Sequence, residues 1–211
     1  MDFHVSTPTG DRKIQIILPQ SGNICILASG GIDSSVLLST ILMARQAESP
    51  NLPFTVLNIK RGLGTEEFSR AMVNKLEDHF GVEIPFQYVD LDPSVHHSEC
   101  LTNPIVPLLD RGDYTHCFNA ETSNPAGFVH VGAPNRTPVK NQFKFKKWRM
   151  PFLHCDKTHI VQLMHQLNLS FIETMSHTCF AQARYRCKTC FQCEERAWAY
   201  KTLNLTDPGE H

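Results

Sequence analysis

Ser29-Gly30-Gly31-Ile32-Asp33-Ser34 gathers small, conformationally free and hydroxyl-bearing residues into one turn. Two adjacent glycines let a backbone curl towards an anion with no Cβ in the way. Ser29, Ser34 and Ser35 add hydroxyl donors. A helix starting at this point aims its free N–H groups and positive dipole end at the same anion. Asp33 repels a bare phosphate, so it suits either Mg²⁺ or an orienting role in the loop. The plain alternative is a glycine turn with Ser and Asp as caps. The strand before the turn and the helix after it favour phosphate binding.

A second group lies near the end of the chain. Cys179, Cys187, Cys190 and Cys193 are separated by seven, two and two residues. Two-residue gaps let neighbouring thiolates converge on one ion, and four thiolates make a closed, structural zinc site. A disulfide pair or chance clustering is the plainer alternative, and an iron–sulfur cluster is the chemical competitor. The other four of the eight cysteines, Cys25, Cys100, Cys117 and Cys155, have no ligand spacing, and Cys25 reads as core.

Both groups need a scaffold. Ile24–Ala28 is a short apolar run, as in a strand buried on both faces of a parallel sheet. Val36, Leu37, Leu38, Ile41 and Leu42 then repeat at helical spacing. Phe54–Ile59 is a second strand, and Thr65 with two glutamates opens a helix that Gly81 stops. Phe86–Leu91 is a third strand and Phe128–Gly132 a fourth; Ile14–Leu18 reads as an edge strand. Residues 93–127 show no period, and residues 134–150 read as a basic loop. Asp156 caps a helix carrying Ile160, Val161, Leu163, Met164 and Leu167, and a last helix runs from Glu194 to Leu203. The alternation predicts an α/β fold with a doubly wound, mainly parallel sheet. It divides into an α/β domain over residues 1–170 and a cysteine-clamped module over residues 171–211.

Composition narrows the function. Of 211 residues, 41% are apolar, enough for a sizeable core. Twenty basic against 21 acidic residues give a net charge of −1, which argues against extensive nucleic-acid binding. The one stretch suited to a single strand is residues 140–149, where Lys140, Lys144, Lys146, Lys147 and Arg149 interleave with Phe143, Phe145 and Trp148. Its plainer reading is a solvated edge or a loop over the site. The N-terminus lacks a secretory pattern, and no apolar run approaches the ~20 residues of a membrane span, so a cytoplasmic setting is expected.

The hexapeptide Ser29–Ser34 is similar to the Ser-Gly-Gly-x-Asp-Ser signature of the PP-loop ATP pyrophosphatases, whose fold is adenine-nucleotide α-hydrolase-like. Two further stretches sharpen the resemblance. Pro151-Phe152-Leu153 through Lys157 to Ile160-Val161 resembles the Pro-Leu-x-x-x-Ser/Thr-Lys-x-x-Ile-Val segment of 7-cyano-7-deazaguanine synthase, a queuosine-pathway family. Ser176-His177-Thr178-Cys179-Phe180 with Cys187-x-x-Cys190-x-x-Cys193 and Arg196 resembles the same family's cysteine segment.

The resemblance implies ATP, Mg²⁺ and structural zinc, with ammonia and a deazaguanine acid as substrates, and a homodimer. The carboxylate of 7-carboxy-7-deazaguanine would be adenylated, converted to the amide, adenylated again and expelled as the nitrile. It also implies that Ser29, Gly30, Gly31, Asp33, Ser34 and Ser35 bind the pyrophosphate. Asp33 and Lys157 would act at the reacting phosphates, and Arg196 would either face the nucleotide or close the metal module. The sequence departs from the family after its second strand, where Lys60-Arg61-Gly62-Leu63-Gly64 replaces a Tyr-Gly-Gln-type turn. Two other functions therefore stay open. One is tRNA modification by thiolation or lysidine formation; the other is a homologue that conjugates the acid to a protein or only binds nucleotide.

Overall fold

A computed structural model describes residues 1–60, 66–91, 102–125, 128, 147–179 and 186–208. Asp2–Thr7 (β1) runs antiparallel to Gly10–Gln15 (β2), and Gly10 turns the hairpin with a φ of +125°. Val5 and Ile14 are its buried residues, while most of the others are polar and face outward. The hairpin is a sheet of its own. This corrects the edge strand expected over Ile14–Leu18: the strand ends at Gln15, and its partner is a polar run with a single strongly buried position.

The main sheet holds Ile24–Leu27 (β3), Phe54–Lys60 (β4), Phe86–Asp90 (β5), His116–Phe118 (β6) and Trp148–Arg149 (β7). All its pairings are parallel, in the order β5-β4-β3-β6-β7. The chain winds outward from β3 to β5, then returns to the other side of β3. The switch point lies between β3 and β6, where a doubly wound sheet leaves a crevice at its strand ends. The doubly wound parallel fold expected from the alternation is the one observed.

Period-two alternation sorts the sheet's side chains. Ile24, Ile26, Ala28, Phe54, Val56 and Phe118 face one core. That core also takes the helices Ile32–Glu48 (α1), Glu66–Phe80 (α2), Lys157–Gln166 (α4), Phe171–Met175 (α5) and Phe191–Thr202 (α6). Cys25, Leu27, Leu57, Cys117 and Trp148 face the other core, beneath Thr102–Arg111 (α3), which contributes Ile105 and Leu109. Each fully buried Ile or Leu contributes about 1.5–3 kcal/mol. Ile172, Ala199 and Tyr200, from the C-terminal stretch, join the same core as Ile24 and Val36.

Three expectations need correction here. Among the described residues the next strand after β5 is β6, inside the stretch with no readable period. Phe128 lies in no strand, and residues 129–132 fall outside the described residues. At three residues β6 is too short to show alternation. Helix α3 went unread because Pro104 and Pro107 break its pattern, and Pro107 removes one i→i−4 bond. The end of the expected basic loop is strand β7: Trp148 is buried, and Lys147 donates to the Leu109 carbonyl. Lys140 to Lys146, Cys100 and the glycine turn at 62–64 with Thr65 lie outside the described residues. Among the described residues, no helix is long and apolar enough to cross a membrane.

Candidate functional site

The Ser29–Ser34 turn leaves the carboxyl end of β3 and opens α1. Gly31 N-caps the helix in extended conformation and provides no side-chain hydrogen bond. The first-turn N–H groups therefore remain available to an anion. Ser34 Oγ accepts from Ser29 N–H at 3.1 Å and lies 3.1 Å from Ser29 Oγ, so the two hydroxyls pin the turn. The buried Ser35 hydroxyl donates back to the Gly31 carbonyl at 2.7 Å, and Ser34 Oγ donates to the same carbonyl at 3.2 Å.

The two glycines also divide differently than expected. Gly30 has a φ of +79°, and a Cβ there would lie 2.7 Å from Ser69 N and 2.9 Å from the Phe68 carbonyl carbon. Its missing side chain lets the loop pack against the first turns of α2, whereas a Cβ at Gly31 would meet only ordinary contacts, with Ser29 Oγ, the His177 carbonyl and the Thr178 methyl at 3.4, 3.6 and 3.7 Å. On the other side, the His177 N–H donates to the Gly30 carbonyl at 3.0 Å. The His177 ring stacks on Phe68, 4.5 Å between centroids and 14° from parallel. The loop is thus clasped between α2 and the segment leading into the cysteines. Sequence reasoning placed His177 only within the family-like cysteine segment and Phe68 only on the apolar face of a helix, and it missed Ser69 and Asn58. Ser69 Oγ and Asn58 Nδ2 both donate to the Ala28 carbonyl, at 2.9 and 2.8 Å, and fix the base of the loop.

Lys157 is the first residue of α4. Asp156 caps that helix, accepting from Thr158 N–H at 2.9 Å, with His159 Nδ1 at 2.9 Å. His159 Nε2 donates to the Gly10 carbonyl at 3.0 Å, so the β1–β2 hairpin braces the same helix end. With its N-terminus satisfied, α4 holds a side chain in place instead of offering an anion site. Lys157 is 4% exposed, unlike an ordinary first-turn lysine in solvent. Its ammonium donates to Asp33 Oδ2 from α1 and lies 3.8 Å from Glu195 Oε2 from α6. Two carboxylates around one ammonium give the cluster a net charge of −1.

Asp33 Oδ1, Asn58 Oδ1 and Thr178 Oγ1 are buried with no hydrogen-bond partner among the described residues. Buried polar atoms in this state are rare, and they mark places where a ligand or water completes the structure. The Thr178 methyl lies on the Gly31 side of the loop.

Arg196 fits the second of the two roles left open for it. It is fully buried, and its guanidinium is bidentate to Asp207 at 2.8 and 2.7 Å. It also donates to Ser176 Oγ and the Glu173 carbonyl, both at 2.7 Å. All its donor nitrogens are engaged inside the C-terminal stretch, so it closes that stretch and does not face a nucleotide. Glu195, one residue earlier, is the α6 side chain that reaches Lys157. Its 38-residue separation from Lys157 hid it from any spacing argument.

The sulfurs of Cys179, Cys187, Cys190 and Cys193 all lie within 4.8 Å of one another. A tetrahedral zinc with Zn–S of about 2.3 Å separates its sulfurs by about 3.8 Å, so the four residues fit a single ion. Cys187 N–H donates to Cys179 Sγ at 3.4 Å, and Cys190 N–H to Cys187 Sγ at 3.2 Å. Burial would raise the Cys187 thiol, but N–H groups of Thr189 and Cys190 outweigh it and bring it down to about 6. Lys188 takes a φ of +61° to close this knuckle. Cys25, Cys117 and Cys155 are buried free thiols, as core residues should be, and burial pushes Cys155 up to about 12.

The family model described as queuosine biosynthesis protein QueC matches residues 111–204, less than half of the chain. The matched part includes α4 with Lys157, the four cysteines and α6. Among solved structures the fold is similar to the U34-tRNA thiolase NcsA from Methanococcus maripaludis, determined with its [4Fe-4S] cluster. That match has a TM-score of 0.53 at 15% identity and covers 88% of this chain and 66% of the thiolase. The chain thus spans about two thirds of that protein's length. No curated protein sequence matches the chain significantly.

Proposed function

We propose that the chain is an ATP-dependent carbon–nitrogen ligase of the 7-cyano-7-deazaguanine synthase type. The observation that carries this reading is the meeting of the Ser29–Ser34 loop with Lys157, which the match over residues 111–204 includes. Ser29, Gly30, Gly31 and Ser34 would bind the β,γ-pyrophosphate through backbone N–H groups and hydroxyls. Asp33, through its open Oδ1, would hold Mg²⁺, which screens phosphate charge when bound. Lys157 would stabilise negative charge as pyrophosphate departs, so electrostatics would dominate over acid–base catalysis. A carboxylate oxygen of the deazaguanine acid attacks the α-phosphorus and pyrophosphate leaves. Ammonia then displaces AMP to give the amide. A second ATP adenylates the amide oxygen, and loss of AMP and a proton leaves the nitrile.

The four cysteines would hold zinc, a structural ion that clamps the segment touching the loop. The chain would act as a homodimer in the cytoplasm.

A second reading, tRNA thiolation, draws on the likeness to the thiolase. It requires a reactive sulfur at the loop or an iron–sulfur cluster. The thiols of Cys25, Cys117 and Cys155 are buried, and the tight approach of the other four sulfurs favours one ion over a cluster.

The test is incubation with ATP, Mg²⁺, ammonia and 7-carboxy-7-deazaguanine, following AMP and product mass. The nitrile or amide is expected with stoichiometric AMP. No AMP with this acceptor, together with iron and sulfide in the purified protein, would transfer support to thiolation.

A further inference from the structure

We propose that Glu195 is a positioning residue for nucleotide binding, holding Lys157 so that Asp33 stays open to a cation-bearing polyphosphate. The inference rests on the nucleotide reading above and extends it to a residue outside the loop and outside the metal ligands.

Three observations meet here. The Lys157 ammonium is nearly inaccessible to water and touches Asp33, while Glu195 Oε2 lies 3.8 Å away on a different helix. Glu195 is itself 1% exposed, so its charge acts in a poorly screened setting. Asp33 keeps one oxygen, Oδ1, buried and without a partner among the described residues.

An ammonium shared between two carboxylates neutralises neither completely. Asp33 therefore retains negative charge for a cation, and Lys157 retains donors for a phosphate oxygen. With Glu195 neutral, Lys157 and Asp33 form a pair that no carboxylate from α6 competes for. A nucleotide must then break that pair before either group can engage it. When ligand draws Asp33 away in the native protein, Glu195 supplies the counter-charge that a buried ammonium requires.

Glu195→Gln keeps volume and hydrogen-bonding capacity while removing the charge. Mg·ATP binding is titrated calorimetrically for the wild type and Glu195→Gln. Unfolding is measured for the wild type, Glu195→Gln, Lys157→Gln and the double variant. The expected result is an affinity about tenfold weaker in Glu195→Gln, with metal content unchanged. The two substitutions should also depart from additivity by more than about threefold in the unfolding equilibrium constant. Affinity unchanged within about twofold overturns the proposal. Weakened affinity with additive unfolding losses also overturns it, because Glu195 would then act by a route other than Lys157. A wild-type protein that binds no Mg·ATP overturns the nucleotide reading and this inference with it, which separates that failure from the other two.

Discussion

The backbone N–H of His177 donates to the carbonyl of Gly30 at 3.0 Å, two residues before the first clustered cysteine. The phosphate-type loop and the cysteine cluster are therefore neighbours joined by main chain.

Metal analysis should find about one zinc per chain. Chelation, or Cys190→Ser, should lower the melting temperature, because binding energy at such sites is folding energy. It should also weaken Mg·ATP binding, since the segment clasping Gly30 loses its anchor. Nucleotide affinity that survives complete metal removal would show the loop to be independent of the cluster.

Gly30→Ala meets two penalties, a φ of +79° and a Cβ 2.7 Å from Ser69 N. Gly81→Ala meets only a φ of +63°, with open space around it. Urea unfolding should show a loss of about 1–2 kcal/mol for Gly81→Ala. The loss for Gly30→Ala should be larger, accompanied by failure to bind nucleotide. Equal losses would mean that the packing against α2 is unimportant.

Lys157→Met should lower AMP formation by about 10²- to 10³-fold, the range for removing a preorganised charged or hydrogen-bonding group. Single-turnover kinetics at saturating ATP isolates the effect on chemistry. A loss confined to KM would place Lys157 in ground-state binding alone.

Arg196→Met should destabilise the chain by about 1–3 kcal/mol, because buried Asp207 loses its bidentate partner and keeps only the Arg186 contact. Lysine should not rescue it, lacking the planar fork. Denaturant midpoints of the two variants check this. A near-neutral Arg196→Lys would contradict the buried clamp.

Acid sensitivity should report the α4 cap. Burial alone would raise Asp156, but bonds from His159 and Thr158 overcome it and hold the carboxyl at about 2. A depressed folded-state value stabilises above the unfolded value of about 3.9, and that stability is lost as pH falls towards about 2. Asp156→Asn keeps a capping oxygen but cannot ionise. Its unfolding free energy should therefore vary less than the wild type's between about pH 4 and pH 2.

Much of this protein was legible in one dimension, wherever the physical signal is local. Ile24–Leu27 declares a buried strand by being wholly apolar, and Asp156 declares a helix start by its side-chain chemistry. Cysteines two residues apart declare a metal site by reach. Other elements were hidden. A three-residue strand such as β6 has no room for a period, and α3 carries prolines that contradict its own helix.

Tertiary structure alone decided three things. It put Glu195 beside Lys157 across 38 residues and turned the adjacent Arg196 the other way, into Asp207. It showed that Gly30 is small for the sake of α2 rather than for an anion. It also turned Ser35 inward. Local sequence determines which groups a segment can offer, since caps, turns and ligand spacings act over a few residues. Which of those groups remain open for function depends on what the fold presses against them, and that is set by contacts between residues far apart in the chain.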